Sequence, residues 1–330
     1  MKLTTVALVG GPTMLVLVSP WVAARLFEGR APARTVATFH LLALAGMAAL
    51  PLVALPCLAL IRPSDLSALA SLSGIRVAQT AARALAVAYL ARIGWVAVRT
   101  SRATSRLAAN LAVAAAGRPA AGGPVTHLVA SARPFAYTLG GRAGGVVVSH
   151  GLLSLLDRDE RDAVLAHERA HLRLRHHRLL WFGQVVSAAL GAAVPAAGEA
   201  AASLARELEV IADQAAASEM GERRVVARAL AKAALASATS TAAPSAALAF
   251  GGERDLVYRL DRLMEDRRHD DRRGLATAAI GLLDAGLLAI LGGAVQPTNP
   301  VGDVVLFGLA LAGIGWLSWR AVAPLETPAA

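Results

Sequence analysis

One run in the chain has residue types at a spacing suited to metal-assisted hydrolysis: His167-Glu168-Arg169-Ala170-His171. On a helix, positions i and i+4 lie on one face about one turn apart, so both imidazoles can share a single ion. Zinc suits such a pair. It lowers the pKa of a water toward neutrality, and Glu168 can take the proton as that water attacks a peptide carbonyl. His167 and His171 are therefore the expected metal ligands, Glu168 the expected general base, and one Zn2+ the expected cofactor.

A catalytic zinc takes three protein ligands and keeps a fourth position open. His177 lies where the extended H-E-x-x-H-x-x-G-x-x-H pattern has its third histidine, but that pattern needs a glycine where this chain has Leu174. Leucine continues a helix well. The expectation is an unbroken helix that carries His176 and His177 away as polar residues beside the membrane. The competing ligand is Glu209, in Glu207–Ala217 (ELEVIADQAAA). A helix there puts Glu209 and Asp213 on one face. Glu209 would bind zinc, and Asp213 would hydrogen-bond a ligand imidazole and fix its tautomer. Glu207, facing roughly the other side, is the fallback ligand.

These residues need elements to hold them. Asp157 reads as a helix N-cap with Glu160 three residues on, a capping-box pattern opening the helix that carries the motif. Before it, Gly144–His150 (GGVVVSH) is rich in β-branched residues and reads as a strand. Arg133–Leu139 (RPFAYTL) reads as its neighbour, with Pro134 suiting a sheet edge. Ala114–Pro124 and Ser237–Pro244 read as flexible Ala-Gly-Pro linkers.

The rest of the chain is strongly apolar: 56% hydrophobic over 330 residues, against about 45–50% for an ordinary soluble domain. Four runs are long enough to cross a bilayer, 3–26, 36–61, 275–295 and 304–322, and a weaker one at 77–98 carries Arg83 and Arg92. The net charge of +10 is almost wholly arginine. It lies in loops beside apolar runs, which points to membrane topology and anionic lipid and away from direct nucleic-acid binding. The lone Cys57 excludes an intrachain disulfide. Lys2 precedes the first apolar run, which is too long for a usual signal peptide and is expected to be a retained anchor.

Eleven arginines from Arg102 to Arg178, and none in Gln296–Asp303, put the polar middle on the cytoplasmic side. The expected fold is mainly α: a multi-span helical membrane protein with a small α+β zincin-like metallopeptidase domain. Residues 1–98 would hold three transmembrane helices and 99–273 the cytoplasmic peptidase domain. Two more helices would follow in 274–322, with a short tail at 323–330. His167 and Glu209 must meet on one side, so the apolar segment 179–197 is expected to be re-entrant or interfacial, bending at Gly191, Pro195 or Gly198.

LLSLLDRDERDAVLAHERAH followed by ELEVIAD resembles the gluzincin membrane peptidases of the BlaR/MecR antirepressor type, and is also similar to the HtpX and CAAX prenyl protease family. The resemblance covers about 133–217. It implies His167, His171 and Glu209 as zinc ligands, Glu168 as base and Asp213 as support, with RPFAYTL as an edge strand binding substrate in extended form. Three leading spans and one intervening apolar stretch favour the BlaR/MecR type. The chain has no S-x-x-K and no penicillin-binding domain, so the β-lactam sensor function is not implied. Expected partners are a protein or peptide substrate, such as a cytoplasmic repressor, and the lipid bilayer; the expected location is the cell membrane, multi-pass. The rival expectation is a non-catalytic signalling protein of the same type.

His40, Arg83, Arg92 and Asp284 fall within apolar runs, where ionisable groups are costly. Arg83 or Arg92 is expected to pair with Asp284 or to snorkel. Arg254 and Arg259 are expected to help hold the second polar segment near the site. Tyr137, His150 and Tyr258 are candidate oxyanion donors among which the sequence does not choose.

Overall fold

A computed structural model of the protein describes residues 31–60, 72–118, 125–140, 145–238 and 253–265. The expected spans at 3–26, 275–295 and 304–322, with Asp284, lie outside these residues. The described part is mostly helical with one small sheet. In chain order it runs α1 (Ala33–Leu60), α2 (Leu72–Ala114), β1 (Ala115–Arg118), β2 (Val125–Val129), β3 (Ala136–Leu139), β4 (Gly145–Ser149), α3 (His150–Leu155), α4 (Arg158–Arg173), α5 (His176–Leu190), α6 (Pro195–Met220), α7 (Arg223–Ala238) and α8 (Glu253–Met264).

The two leading helices differ in what surrounds them. In α1, Val36, Phe39, Leu41, Leu44 and Met47 are buried and pack with Leu179, Val186, Leu204, Leu208 and Ile211 of α5 and α6. Helix α2 has 43 residues, roughly 65 Å at 1.5 Å per residue, about twice the hydrocarbon thickness. Its Gln79–Arg106 stretch is, among the described residues, the one helix long and apolar enough to cross a membrane. Val77, Leu85, Val87, Leu90 and Trp95 on it are exposed. Length and exposed apolar surface together are evidence, though weak, of membrane association.

The sheet has the order β1-β2-β4-β3, with β1–β2 and β3–β4 antiparallel and β2–β4 parallel. Strand β4 is buried at every position, as a run of valines between two neighbours should be. Strand β3 begins two residues after Pro134 and forms one edge, where the missing N–H of proline is harmless. The expected linker at Ala114–Pro124 is corrected in part: β1 lies within it. The pairing of β1 with β2 is decided by contact between strands, which an Ala-Gly-rich run does not advertise.

The unbroken helix expected through Leu174 is also corrected. Helix α4 stops at Arg173, Leu174 closes on Ala170 O at 2.9 Å, and Arg175 takes a left-handed conformation with φ 53°. A non-glycine residue there is strained, on the order of 1–3 kcal/mol. The turn re-aims the chain so that His176 folds back toward α4.

Helix α5 ends at Gly191, whose φ of 58° suits glycine, and Gly191–Ala193 form a 3-10 turn before Pro195 opens α6. Helices α5 and α6 pack against each other, so residues 179–197 form a hairpin limb and its turn. Arg92, expected to snorkel or to pair with Asp284, reaches the end of α5. Its guanidinium donates to Ala189 O at 2.6 Å and Ala188 O at 3.0 Å, satisfying carbonyls that the end of α5 leaves without helical partners.

Candidate metal centre

The centre is built on α4 and α6. Helix α4 starts with both halves of the capping box: Glu160 N donates to Asp157 Oδ1 at 2.9 Å, and Asp157 N to Glu160 Oε2 at 3.0 Å. Glu160 is buried and held by Lys232 at 2.7 Å. Ala163, Ala166 and Ala170 are buried on this helix, so α4 lies close to its neighbours with the histidine face turned toward α6.

The Nε2 atoms of His167 and His171 lie 3.0 Å apart. His167 Nε2 is 3.4 Å from Glu209 Oε2, and His171 Nε2 is 3.4 Å from Glu209 Oε1. One donor atom from each residue lies within 4.8 Å of the others. The outer nitrogens are engaged elsewhere: His167 Nδ1 meets Asp213 Oδ1 at 2.9 Å, and His171 Nδ1 meets His176 Nδ1 at 2.9 Å. With Nδ1–H of each ring donating outward, both inner nitrogens present lone pairs to the same point as two carboxylate oxygens. Four such acceptors repel one another unless a proton or a metal cation lies among them. Two imidazoles and a carboxylate are a donor set zinc accepts, with Glu209 still 34% exposed where a catalytic site needs an opening.

The electrostatics show the same demand. Burial opposes a charge on His167, but the hydrogen bond and charge of Asp213, joined by Glu209, outweigh it and raise its pKa to about 10. Burial wins at His171, which is lowered despite the attraction of Glu209. Burial also pushes up the carboxyl of Glu209, yet His171 and Arg259 hold it well below the usual carboxylate range. Asp213 is lowered in the same way, chiefly by Arg259 against the effect of burial.

Arg259 reaches the centre from α8. Its Nε and Nη2 each lie 2.8 Å from an oxygen of Asp213, and Nη1 is 3.2 Å from Glu209 Oε2. The expectation for Arg259 thus becomes specific, whereas Arg254 is exposed. The fallback ligand Glu207 is buried, lies outside the group of converging donor atoms, and accepts from Tyr258 Oη at 2.5 Å. That contact also takes Tyr258 off the list of free oxyanion donors. Tyr137 Oη is buried without a hydrogen-bond partner, and His150 is exposed at the start of α3.

His176 is the residue the sequence reading misplaced. It is not a juxtamembrane surface histidine: it is fully buried, with its pKa held well below the ordinary value by burial and then by His171. Neutral, it can accept from His171 Nδ1–H and leave His171 Nε2 turned inward. His177, the rejected third ligand, instead packs on the end of β3, where a Cβ on Gly140 would lie 2.5 Å from its ring. The available signal was a histidine pair following the motif, but only the turn at Arg175 decides which member returns. Replacing His176 with Phe should keep the volume and weaken metal binding by roughly 10- to 100-fold, read by competition against a chelator of known affinity.

Two helices that aim imidazole and carboxylate donors at one point, beside a further glutamate, form a candidate metal centre. Residues 98–258 match the model of Peptidase family M48, a little under half of the chain. That domain supports a metallopeptidase of the HtpX and CAAX prenyl protease type, in a family whose peptidases are metal-dependent. No curated protein and no solved structure matched the chain.

Proposed function

We propose that the chain is a membrane-embedded zinc endopeptidase, with Glu168 as general base, acting on a cytoplasmic or membrane-proximal protein such as a repressor. The observation that carries this reading is the convergence of His167, His171 and Glu209 on one point, inside the stretch that matches a peptidase family. His167, His171 and Glu209 would hold the ion, which when bound supplies Lewis acidity and a water acidic enough to be deprotonated near neutral pH. Asp213 and His176 orient the two imidazoles. Glu168, 8% exposed, directly follows the first ligand in the chain and would take a proton in the opening beside Glu209. Arg259 balances the carboxylates of Glu209 and Asp213. Strand β3 has no strand on its outer side among the described residues, so its backbone can pair with an extended peptide.

The exposed apolar face of α2 and the apolar runs at both ends of the chain support a multi-pass location in the cell membrane. The arginine distribution supports a cytoplasmic active site. The likeness to the BlaR/MecR type rests on the arrangement of apolar runs around the motif.

Metal analysis tests the reading. Purified protein should carry about one zinc per chain, and His167→Ala and Glu209→Ala should lose it. Stripping the ion with a chelator should abolish cleavage of labelled casein, and zinc should restore it. Wild-type protein that never retains zinc would end the proposal.

A further inference from the structure

We infer that Thr138 fixes the carboxylate of Glu168 in place, tying the base to the strand along which an extended substrate would lie. The inference rests on the reading of Glu168 as base.

Alternation along β3 turns Thr138 toward α4. Its Oγ1 lies 2.6 Å from Glu168 Oε2 and 3.0 Å from the backbone carbonyl of the same residue. The shorter distance is that of a hydroxyl donating to a charged carboxylate, the stronger class of hydrogen bond. Among the described residues no other hydrogen bond reaches this carboxylate. One oxygen is held, and Oε1 is left without a hydrogen-bond partner among those residues. A glutamate turns about several side-chain bonds, and a base must be placed to within a fraction of an ångström of its proton. The hydroxyl of Thr138 supplies that constraint.

The source of the constraint matters as well. Thr138 stands opposite Val146 in the β3–β4 pairing, and its strand forms one edge of the sheet, with no strand on its outer side among the described residues. A peptide that pairs with that edge stiffens the strand that carries the hydroxyl. Alignment of the base is thereby coupled to occupancy of the edge. Thr138 is a positioning residue: it acts through Glu168 and need not touch substrate.

The test uses the full chain, zinc-loaded, in detergent, with Thr138→Val, Thr138→Ser, Glu168→Gln and the Glu168→Gln/Thr138→Val pair. Valine keeps the branched shape and strand preference while deleting the hydroxyl. With fluorescein-labelled casein, Thr138→Val should lower kcat by about 10- to 100-fold while KM and zinc content stay within about twofold. Thr138→Ser should restore most of the rate. In the Glu168→Gln background, Thr138→Val should change nothing further. A readout free of turnover is binding of acetohydroxamic acid, a metal chelator small enough to contact Glu168. Thr138→Val should weaken it and Thr138→Ser should not, and this arm decides alone if casein is not cut.

Wild-type behaviour of Thr138→Val in both assays overturns the inference, as does loss of zinc in that variant, which would mark a purely structural role. Cleavage by Glu168→Gln at the wild-type rate would instead remove the peptidase reading itself. An inactive Glu168→Gln beside a fully active Thr138→Val would remove only the role given to Thr138.

Discussion

Glu168→Gln should retain its zinc and lose about 10²- to 10⁴-fold in kcat, the usual contribution of a positioned general base. The substitution is nearly isosteric, and the amide can still accept from Thr138 Oγ1, so the local packing has little reason to change. The amide cannot take a proton at neutral pH. The metal should stay because the converging donor atoms belong to His167, His171 and Glu209, not to Glu168. The combination of unchanged zinc with a rate loss equivalent to about 3–5 kcal/mol separates chemistry from folding. Unchanged cleavage, or a cellular phenotype indifferent to the substitution, would favour the non-catalytic signalling protein of the antirepressor type.

Arg259→Met should produce the largest loss of stability among single changes near the centre, about 3–5 kcal/mol. Asp213 is 2% exposed, and its two oxygens share the guanidinium of Arg259 at 2.8 Å each. Methionine fills similar space but leaves Asp213 with His167 alone and removes the cation beside Glu209. Breaking one side of a buried ion pair is costly because the remaining charge stays out of water. In a domain of this size such a loss lowers Tm by on the order of 10 °C. Two further measurements identify the cause. Adding Asp213→Asn should recover part of the loss, and zinc-loaded protein should suffer less than chelator-treated protein, because the ion supplies positive charge at the same place. Equal Tm for wild type and Arg259→Met in both states would rule out this account of α8.

The parts of the centre that were legible in the chain are those governed by short spacing. His167 and His171 stand about one helical turn apart, so their common face follows from helix geometry, with Glu168 directly beside the first of them, and the capping box at Asp157 and Glu160 spans about one turn in the same way. Glu209 and Asp213 are again four positions apart. The strand over GVVVS and its edge neighbour carry β-branched residues and a proline, which mark them locally. The parts that were not legible are set by contacts between distant segments. Thr138 meets Glu168 from 30 residues away and Arg259 meets Asp213 from 46, and no periodicity relates such pairs. Arg92 belongs to the same group: inside an apolar run it looks like a residue escaping toward water, yet it caps a helix 97 positions on.

His176 shows where the boundary lies. By itself the chain determined that a metal-type histidine pair would sit on a helix, and that a carboxylate pair on another helix could answer it, because side chains one turn apart share a face whatever surrounds them. Only the tertiary structure decided that the helix breaks after Arg173, that Arg175 takes a left-handed turn, and that His176 rather than His177 supports His171. The turn is strained locally and persists because the packing of α4 against its neighbours over-determines it. A preference imposed from outside the segment leaves no mark in the segment's own residues.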